Sequence, residues 1–316
     1  MSLTQVTVVA PATTANLGPG FDVFGLALKQ PHDKFTLNAI RKGIKVDVVG
    51  FLAQKVSALP RKNTANTVAD LMKREFKLET GIQIRIDRGI MPGVGLGSSA
   101  ASAAAVACGL NYMFKLKLDK SELVRLAAQG EATSAGYAHA DNVSAAIYGG
   151  FIIVRSYSPL KVVSFRAPEN MEICVAYPQM TTPIHKTKEA RSLVPTQVPI
   201  EKVVHNVGSA AAIASGFANG DPDLVGAAMS DAVVEPERAR LIPGYQNVKE
   251  NALKAGASGV AISGAGPAMI AIVNKDKANA TKVAKAMKKA FETTGLAATA
   301  FVSAPGKGVQ ILETEK

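Results

Sequence analysis

The sequence predicts an α+β protein of two domains, divided as 1–160 and 161–316. Three observations carry this. The chain has 316 residues, and a folded domain holds roughly 150. Strand-like and helix-like segments run through both halves without strict alternation, which argues against a doubly wound sheet. Pro159 and Pro168 punctuate the pattern near its middle, so the boundary is expected within 158–170.

The elements follow in order. Residues 5–10 form an apolar strand, and 11–20 a loop of small residues. Strand-like segments lie at 34–40 and 45–50, and 64–75 reads as a helix. Residues 82–87 alternate apolar and polar side chains, as a half-buried strand does. A glycine-bearing loop at 89–97 then enters an alanine-rich helix over 98–114. The next helix spans 121–130 with Ser121 as its N-cap, and 151–155 is a strand. In the second half, 172–177, 259–263, 268–273 and 297–302 are strands, with an edge strand at 309–312. Helices fill 201–217 and 246–254. The segment 275–289 opens an amphipathic basic helix, because Val283, Met287 and Phe291 recur every four positions among lysines.

Composition removes several classes of function. Apolar residues make up 47% and charged residues 19%, the balance of a folded soluble protein. Cys108 and Cys174 stand far apart with no metal-ligand spacing, so neither a disulfide framework nor a zinc site is expected. They read as buried thiols in a reducing cytoplasm. The first ten residues hold no basic residue and only a short apolar run, unlike a signal peptide. No stretch suits a membrane span. The net charge of +11 can attract a polyanion. Without an arginine-rich arm, stacking aromatics or finger spacing, no nucleic-acid partner is expected.

The most informative segment is Pro92, Gly93, Val94, Gly95, Leu96, Gly97, Ser98, Ser99 and Ala100. Its glycines admit turns that a side chain forbids and let a ligand approach the main chain. The helix that follows begins with N–H groups lacking internal partners, at the positive end of its dipole. Such a loop is a natural phosphate cradle. Ser98 and Ser99 add hydroxyls for capping or for Mg²⁺. It is not a Walker A loop, since no Gly-Lys-Ser follows, and no G-x-G-x-x-G can be read. A glycine turn that merely seats a small-residue helix is the structural alternative.

Other segments accompany it in order. Pro11-Ala-Thr-Thr-Ala-Asn-Leu-Gly-Pro-Gly-Phe-Asp22 opens the chain. Gly136-Tyr-Ala-His-Ala-Asp-Asn142 precedes an apolar stretch. Arg240-Leu-Ile-Pro-Gly244 and Ser263-Gly-Ala-Gly-Pro267 lie in the second half. Together with the central loop these resemble the motifs of the GHMP kinases, in the form found in homoserine kinases, from Pro11 to about Val273. The resemblance implies an N-terminal domain like domain 2 of ribosomal protein S5 and a ferredoxin-like C-terminal domain, with the active site between them. It implies ATP and Mg²⁺ as cofactors and L-homoserine as the phosphoryl acceptor. The product is O-phospho-L-homoserine, on the route to threonine. By analogy it also implies a homodimer.

The resemblance assigns roles residue by residue. Ser99 and Glu131 hold Mg²⁺, which needs few protein oxygens beside phosphates and water. Asn63 meets the adenine, and residues 92–100 cradle the phosphates. Asp22 takes the substrate ammonium, with Asn16 in the same loop. Arg191 and Arg240 take the carboxylate, to which a planar guanidinium offers two donors. Thr187, His139, Asp141 and Gly264 complete the substrate side. Asn142 stands where other GHMP kinases carry an aspartate base. An amide takes no proton at neutral pH, so catalysis is expected through alignment and charge stabilisation. His139 remains open as a base, its ordinary pKa being near neutrality. Ala268 stands where the family often has Thr or Ser. Two rivals share the scaffold: a GHMP kinase for another alcohol, and a ligand sensor without activity. Asp22 and the arginines favour a zwitterionic substrate, and the intact loop, Ser99 and Glu131 disfavour the sensor.

Overall fold

The structure is a computed structural model describing residues 3–50, 52–53, 63–135, 140–181 and 186–315. His139 lies outside the described residues.

Among these residues the first sheet has seven strands. They are β1 (Gln5–Asn16), β2 (Gly20–Ile40), β3 (Ile44–Val49), β4 (Gly81–Asp87), β5 (Phe151–Tyr157), β6 (Leu160–Phe165) and β11 (Gln310–Glu315). Their order is β11-β1-β2-β4-β3, with β5 on the first part of β2 and β6 on β5. Only β3 and β4 run parallel. Four helices pack with this sheet: α1 (Thr64–Glu75), α2 (Ser98–Met113), α3 (Lys120–Ala135) and α4 (Ala140–Tyr148). α2 is buried almost all round, as its near-continuous alanine run requires. A Cβ on its Gly109 would meet Leu37 and Val8 at 3.1 Å, so the small residues set how closely helix and sheet approach.

The second sheet comprises β7 (Met171–Pro178), β8 (Gly259–Ile262), β9 (Met269–Asn274) and β10 (Ala298–Ser303), all antiparallel in the order β10-β7-β9-β8. α9 (Tyr245–Lys254) and α10 (Ala280–Glu292) cover one face. Between β7 and α9 lie α5 (Lys186–Ser192), α6 (Ile200–Asn219), α7 (Pro222–Ala227) and α8 (Glu235–Ala239). β7 shows the period of two that a doubly covered sheet demands. Ile173 and Val175 join the large core shared with the first sheet, while Cys174 and Ala176 face α9 and α10.

Several expectations are corrected. The small-residue segment 11–16 continues β1 rather than looping, because Thr13, Thr14 and Ala15 pair with Ala27, Leu26 and Gly25. α3 starts at Lys120, and Ser121 does not cap it. The cap is Asp119, whose carboxylate accepts from Glu122 N (2.9 Å) while Glu122 Oε2 accepts from Asp119 N (2.9 Å), a reciprocal capping box. The basic helix begins only at Ala280, capped by Asn279 accepting from Lys282 N. The division at 160/161 does not follow the sheets. β6 pairs with β5, and β11 returns to the outer edge of β1, so both ends of the expected second domain belong to the first sheet.

Candidate active site

The glycine loop joins β4 to α2 and owes its shape to three left-handed glycines, Gly93, Gly95 and Gly97 (φ 78°, 94° and 64°). A Cβ on Gly95 would stand 2.2 Å from the Ser263 carbonyl oxygen, and one on Gly97 would stand 1.9 Å from Thr13 Oγ1. The loop is thus wedged between β1 and the second glycine turn, 263–267. Ser263 Oγ donates to Gly95 O (2.7 Å) and lies 2.9 Å from Thr14 Oγ1, and Ala268 N donates to Val94 O (2.9 Å). Val94, Leu96 and Ala100 are buried, so their side chains belong to the core. Gly97 is the N-cap of α2 and provides no side-chain cap, and the first turn holds no acidic residue. Its N–H groups are therefore suited to an anion.

Behind the loop, the buried Arg88 pairs with Asp33 and donates to Ser98 Oγ (3.2 Å) and Ser102 Oγ (2.8 Å). Asp33 also accepts from Gly89 N and Ile90 N (2.8 and 2.9 Å), fixing the entry to the loop. Burial pushes the Asp33 carboxyl up, while Arg88 and these N–H groups oppose it. Ser99 Oγ lies 2.8 Å from Thr64 Oγ1 at the start of α1. Asn63 is the N-cap of α1, its side-chain oxygen accepting from Ala65 N (3.0 Å). Glu131 is buried on α3, which packs against α1 and α2. Hydroxyl and carboxylate oxygens are the donor types that suit Mg²⁺.

On the other side, the junction of β1 and β2 holds Asn16, Leu17 and Asp22 at positive φ (75°, 46° and 57°), a conformation that non-glycine residues keep only under tertiary constraint. Asn16 supplies part of it: Nδ2 donates to Gly264 O (3.0 Å) and Oδ1 accepts from Asp22 N (3.2 Å). Asp22 receives Arg191 as a fork, at 3.2 and 2.6 Å. Tyr157 donates to the Asp22 carbonyl (2.6 Å). Arg238 on α8 is buried, donating to Ala190 O (3.2 Å) and Gly264 O (3.0 Å), with its guanidinium 4.8 Å from the Phe21 ring centre. Burial pulls its pKa down and Asp22 holds it up, and an arginine stays charged regardless. A narrow recess here is lined by Asn16, Gly18, Phe21, Asp231, Val234, Glu235, Arg238, Ile262 and Gly264. Asp231 is spent as a cap for 233–235, and Glu235 accepts from Ile262 N (3.0 Å) and Tyr245 OH. Burial pushes the Glu235 carboxyl up, with Lys249 opposing.

α4 carries Asp141, which is buried, and the half-buried Asn142, whose Oδ1 accepts from Thr13 Oγ1 at 2.7 Å. That oxygen is 3.1 Å from where a Gly97 Cβ would stand, so Asn142 adjoins the start of α2.

Two family models match the chain: the GHMP kinases N-terminal domain over 63–150 and the GHMP kinases C-terminal domain over 213–293. The homoserine kinase of Methanococcus vannielii is 48% identical over 86% of this chain and 89% of its own length. That of Halorubrum lacusprofundi is 43% identical over 98% and 100%. The chain belongs to the homoserine kinases of the GHMP kinase family. The crystal structure of the homoserine kinase from Cytophaga hutchinsonii superposes with a TM-score of 0.90 at 35% identity, covering 98% of both chains. Lactococcus lactis galactokinase shares the GHMP fold at a TM-score of 0.70 and 17% identity.

Against this frame, the fold brings Asn16, Asp22, Arg191 and Gly264 together with the glycine turns. Thr187 sits four residues before Arg191 on the short α5. Arg240 is not brought in. Its side chain is 60% exposed and paired with Glu237 one turn back. Arg238 is the buried arginine of α8 instead. Thr13, Arg88 and Glu235 are further polar residues of the site that sequence reasoning missed. Thr13 lay inside a recognised motif, but nothing local told its hydroxyl from that of Thr14.

Proposed function

We propose that the chain transfers the γ-phosphoryl group of Mg-ATP to the side-chain hydroxyl of L-homoserine, giving O-phospho-L-homoserine and ADP for threonine synthesis in the cytoplasm. The observation that carries this reading is the charge arrangement beside the phosphate loop. Arg191 forks onto Asp22 while Arg238 sits buried against the same turn, so one site offers both signs of charge to a zwitterion.

The ATP phosphates lie on the backbone N–H groups of 93–99 and on the hydroxyl of Ser98. Ser99 and Glu131 hold Mg²⁺, which draws charge from the phosphoryl oxygens. Asn63 and Thr64 start the helix that borders the nucleotide. Arg238, rather than Arg240, takes the substrate carboxylate together with Arg191, while Asp22 and Asp141 take its ammonium. His139 and Thr187 close the substrate side. The Asn142 amide takes no proton at neutral pH, so the rate comes from aligning hydroxyl and phosphorus and from spreading charge over donors. The hydroxyl proton leaves to phosphate or water.

A homodimer is part of the proposal. Support comes from α6, whose outer face exposes Ile200, Val204 and Val207 at helical spacing. Among the described residues no helix is long and apolar enough to cross a membrane.

The test is ADP release from Mg-ATP with L-homoserine, D-homoserine, L-serine, mevalonate and galactose. Turnover with L-homoserine far above the others is expected. Preferred turnover of galactose or mevalonate overturns the roles of Asp22, Arg191 and Arg238.

A further inference from the structure

We propose that Thr13 is a positioning residue that orients the carboxamide of Asn142, making it a hydrogen-bond donor toward the reacting groups. The inference rests on the reading of Asn142 given above and adds the device that sets its direction.

A carboxamide has two chemically opposite ends, and a half-turn about its last bond exchanges them. Which end meets the phosphoryl group decides whether Asn142 attracts or repels its oxygens. Two neighbours settle this together: Thr13 on β1, 129 positions away in the chain, and Asp141. The Thr13 hydroxyl donates to Asn142 Oδ1 at 2.7 Å; a hydroxyl can also accept, so the direction is fixed because the Asp141 carboxylate can only accept and therefore takes the nitrogen end. At the other end, Asn142 Nδ2 stands 3.3 Å from Asp141 Oδ1, so the nitrogen points to the acidic side. An amide nitrogen carries two hydrogens. Asp141 takes one at most, and the other serves an oxygen of the acceptor hydroxyl or of the phosphoryl group.

The setting fits this role. Thr13 is fully buried, so its hydroxyl has no water to satisfy it. Its backbone N–H donates to Leu96 O (3.1 Å), locking β1 against the phosphate loop. Gly97 must be glycine, since a Cβ would stand 1.9 Å from Thr13 Oγ1. The hydroxyl, the amide and the first residue before α2 thus form one packed unit. Without the hydroxyl, Asp141 alone holds the amide, which is then freer to turn its oxygen toward the phosphate oxygens.

The experiment is a double-mutant cycle: Thr13→Val, Asn142→Ala and both together, with Thr13→Ser as the conservative variant. kcat and the KM values for ATP and L-homoserine are measured for each. Thr13→Val is expected to lower kcat about tenfold, the size of one lost hydrogen bond, with both KM values within about twofold. Thr13→Ser keeps kcat within about twofold, and in the Asn142→Ala background Thr13→Val changes kcat by less than about twofold. An equal fall in both backgrounds overturns the proposal, since the residue would then act through packing alone. So does an unchanged kcat in Thr13→Val, or a Thr13→Ser that falls as far. If Asn142→Ala itself leaves kcat intact, the underlying reading of Asn142 fails, and the proposal with it. Should Thr13→Val not fold, Thr13→Ser against Thr13→Ala makes the same comparison.

Discussion

Arg238 and Arg240 stand two residues apart and do different things. On α8 a step of two turns the side chain to the opposite side of the helix, so one arginine is buried against Gly264 and Phe21 while the other lies 60% exposed beside Glu237. An exposed ion pair contributes about 0–1 kcal/mol, whereas removing a buried charge that meets a ligand charge costs about 2–5 kcal/mol. Arg238→Ala is therefore expected to raise the KM for L-homoserine by about two orders of magnitude with little change in that for ATP. Arg240→Ala should leave both near wild type. Steady-state kinetics of the two variants decides between them. The motif that begins at Arg240 was plain in the sequence, while Arg238, two residues before it, was not singled out. Which of them turns inward was not legible there, because that depends on where a five-residue helix meets the second glycine turn.

At the scale of elements, the two glycine turns and the strand β1 form an interlock. Ser263 donates to Gly95 O, Ala268 N to Val94 O, Gly264 N to Ala15 O (3.2 Å) and Thr13 N to Leu96 O. The phosphate loop is held in its cradle shape before any ligand arrives, which lowers the ordering cost of binding. Gly95 is where the two glycine turns meet. Its φ of 94° and the 2.2 Å approach of Ser263 O leave no room for a methyl group. Gly95→Ala should part the two turns, costing about 1–3 kcal/mol of stability and weakening ATP binding tenfold or so. Thermal unfolding with and without ATP measures both, the loss of the ATP-induced shift being the decisive readout. The positions of the glycines and the helix after them were legible in the sequence, because turn and helix start are local matters. The partner of the loop, 168 residues further on in the case of Ser263 and Gly95, was not.

At the scale of the whole molecule, the two sheets share one apolar core. Phe217 of α6 stacks on Phe151 of β5 at 3.9 Å, and both belong to a core that reaches from β1 to β9. β11 ends the chain by pairing with β1. Removing a buried aromatic ring costs about 3–5 kcal/mol. Phe217→Ala should therefore lower the stability of the entire chain in a single cooperative transition. Differential scanning calorimetry showing two transitions instead, only one of them shifted, would mean that the halves unfold independently.

The sequence by itself determined the fold class, the helices and strands with strong periodicity, the phosphate loop and the order of the motifs around it. These depend on neighbours within a few residues: glycines at turns, caps before helices, apolar residues at a fixed spacing. Even at that range it misread the cap of α3 and the end of β1. In the first case Ser121 is a capping residue type, but so is Asp119 two residues earlier. In the second, small residues suited a loop and a doubly covered strand equally. Tertiary structure alone decided that β6 and β11 belong to the first sheet, that Arg238 rather than Arg240 is buried, and that Thr13 faces Asn142. Each of these is a contact between segments far apart in the chain. Its energy comes from burial and hydrogen bonding that exist only once the sheets are packed together.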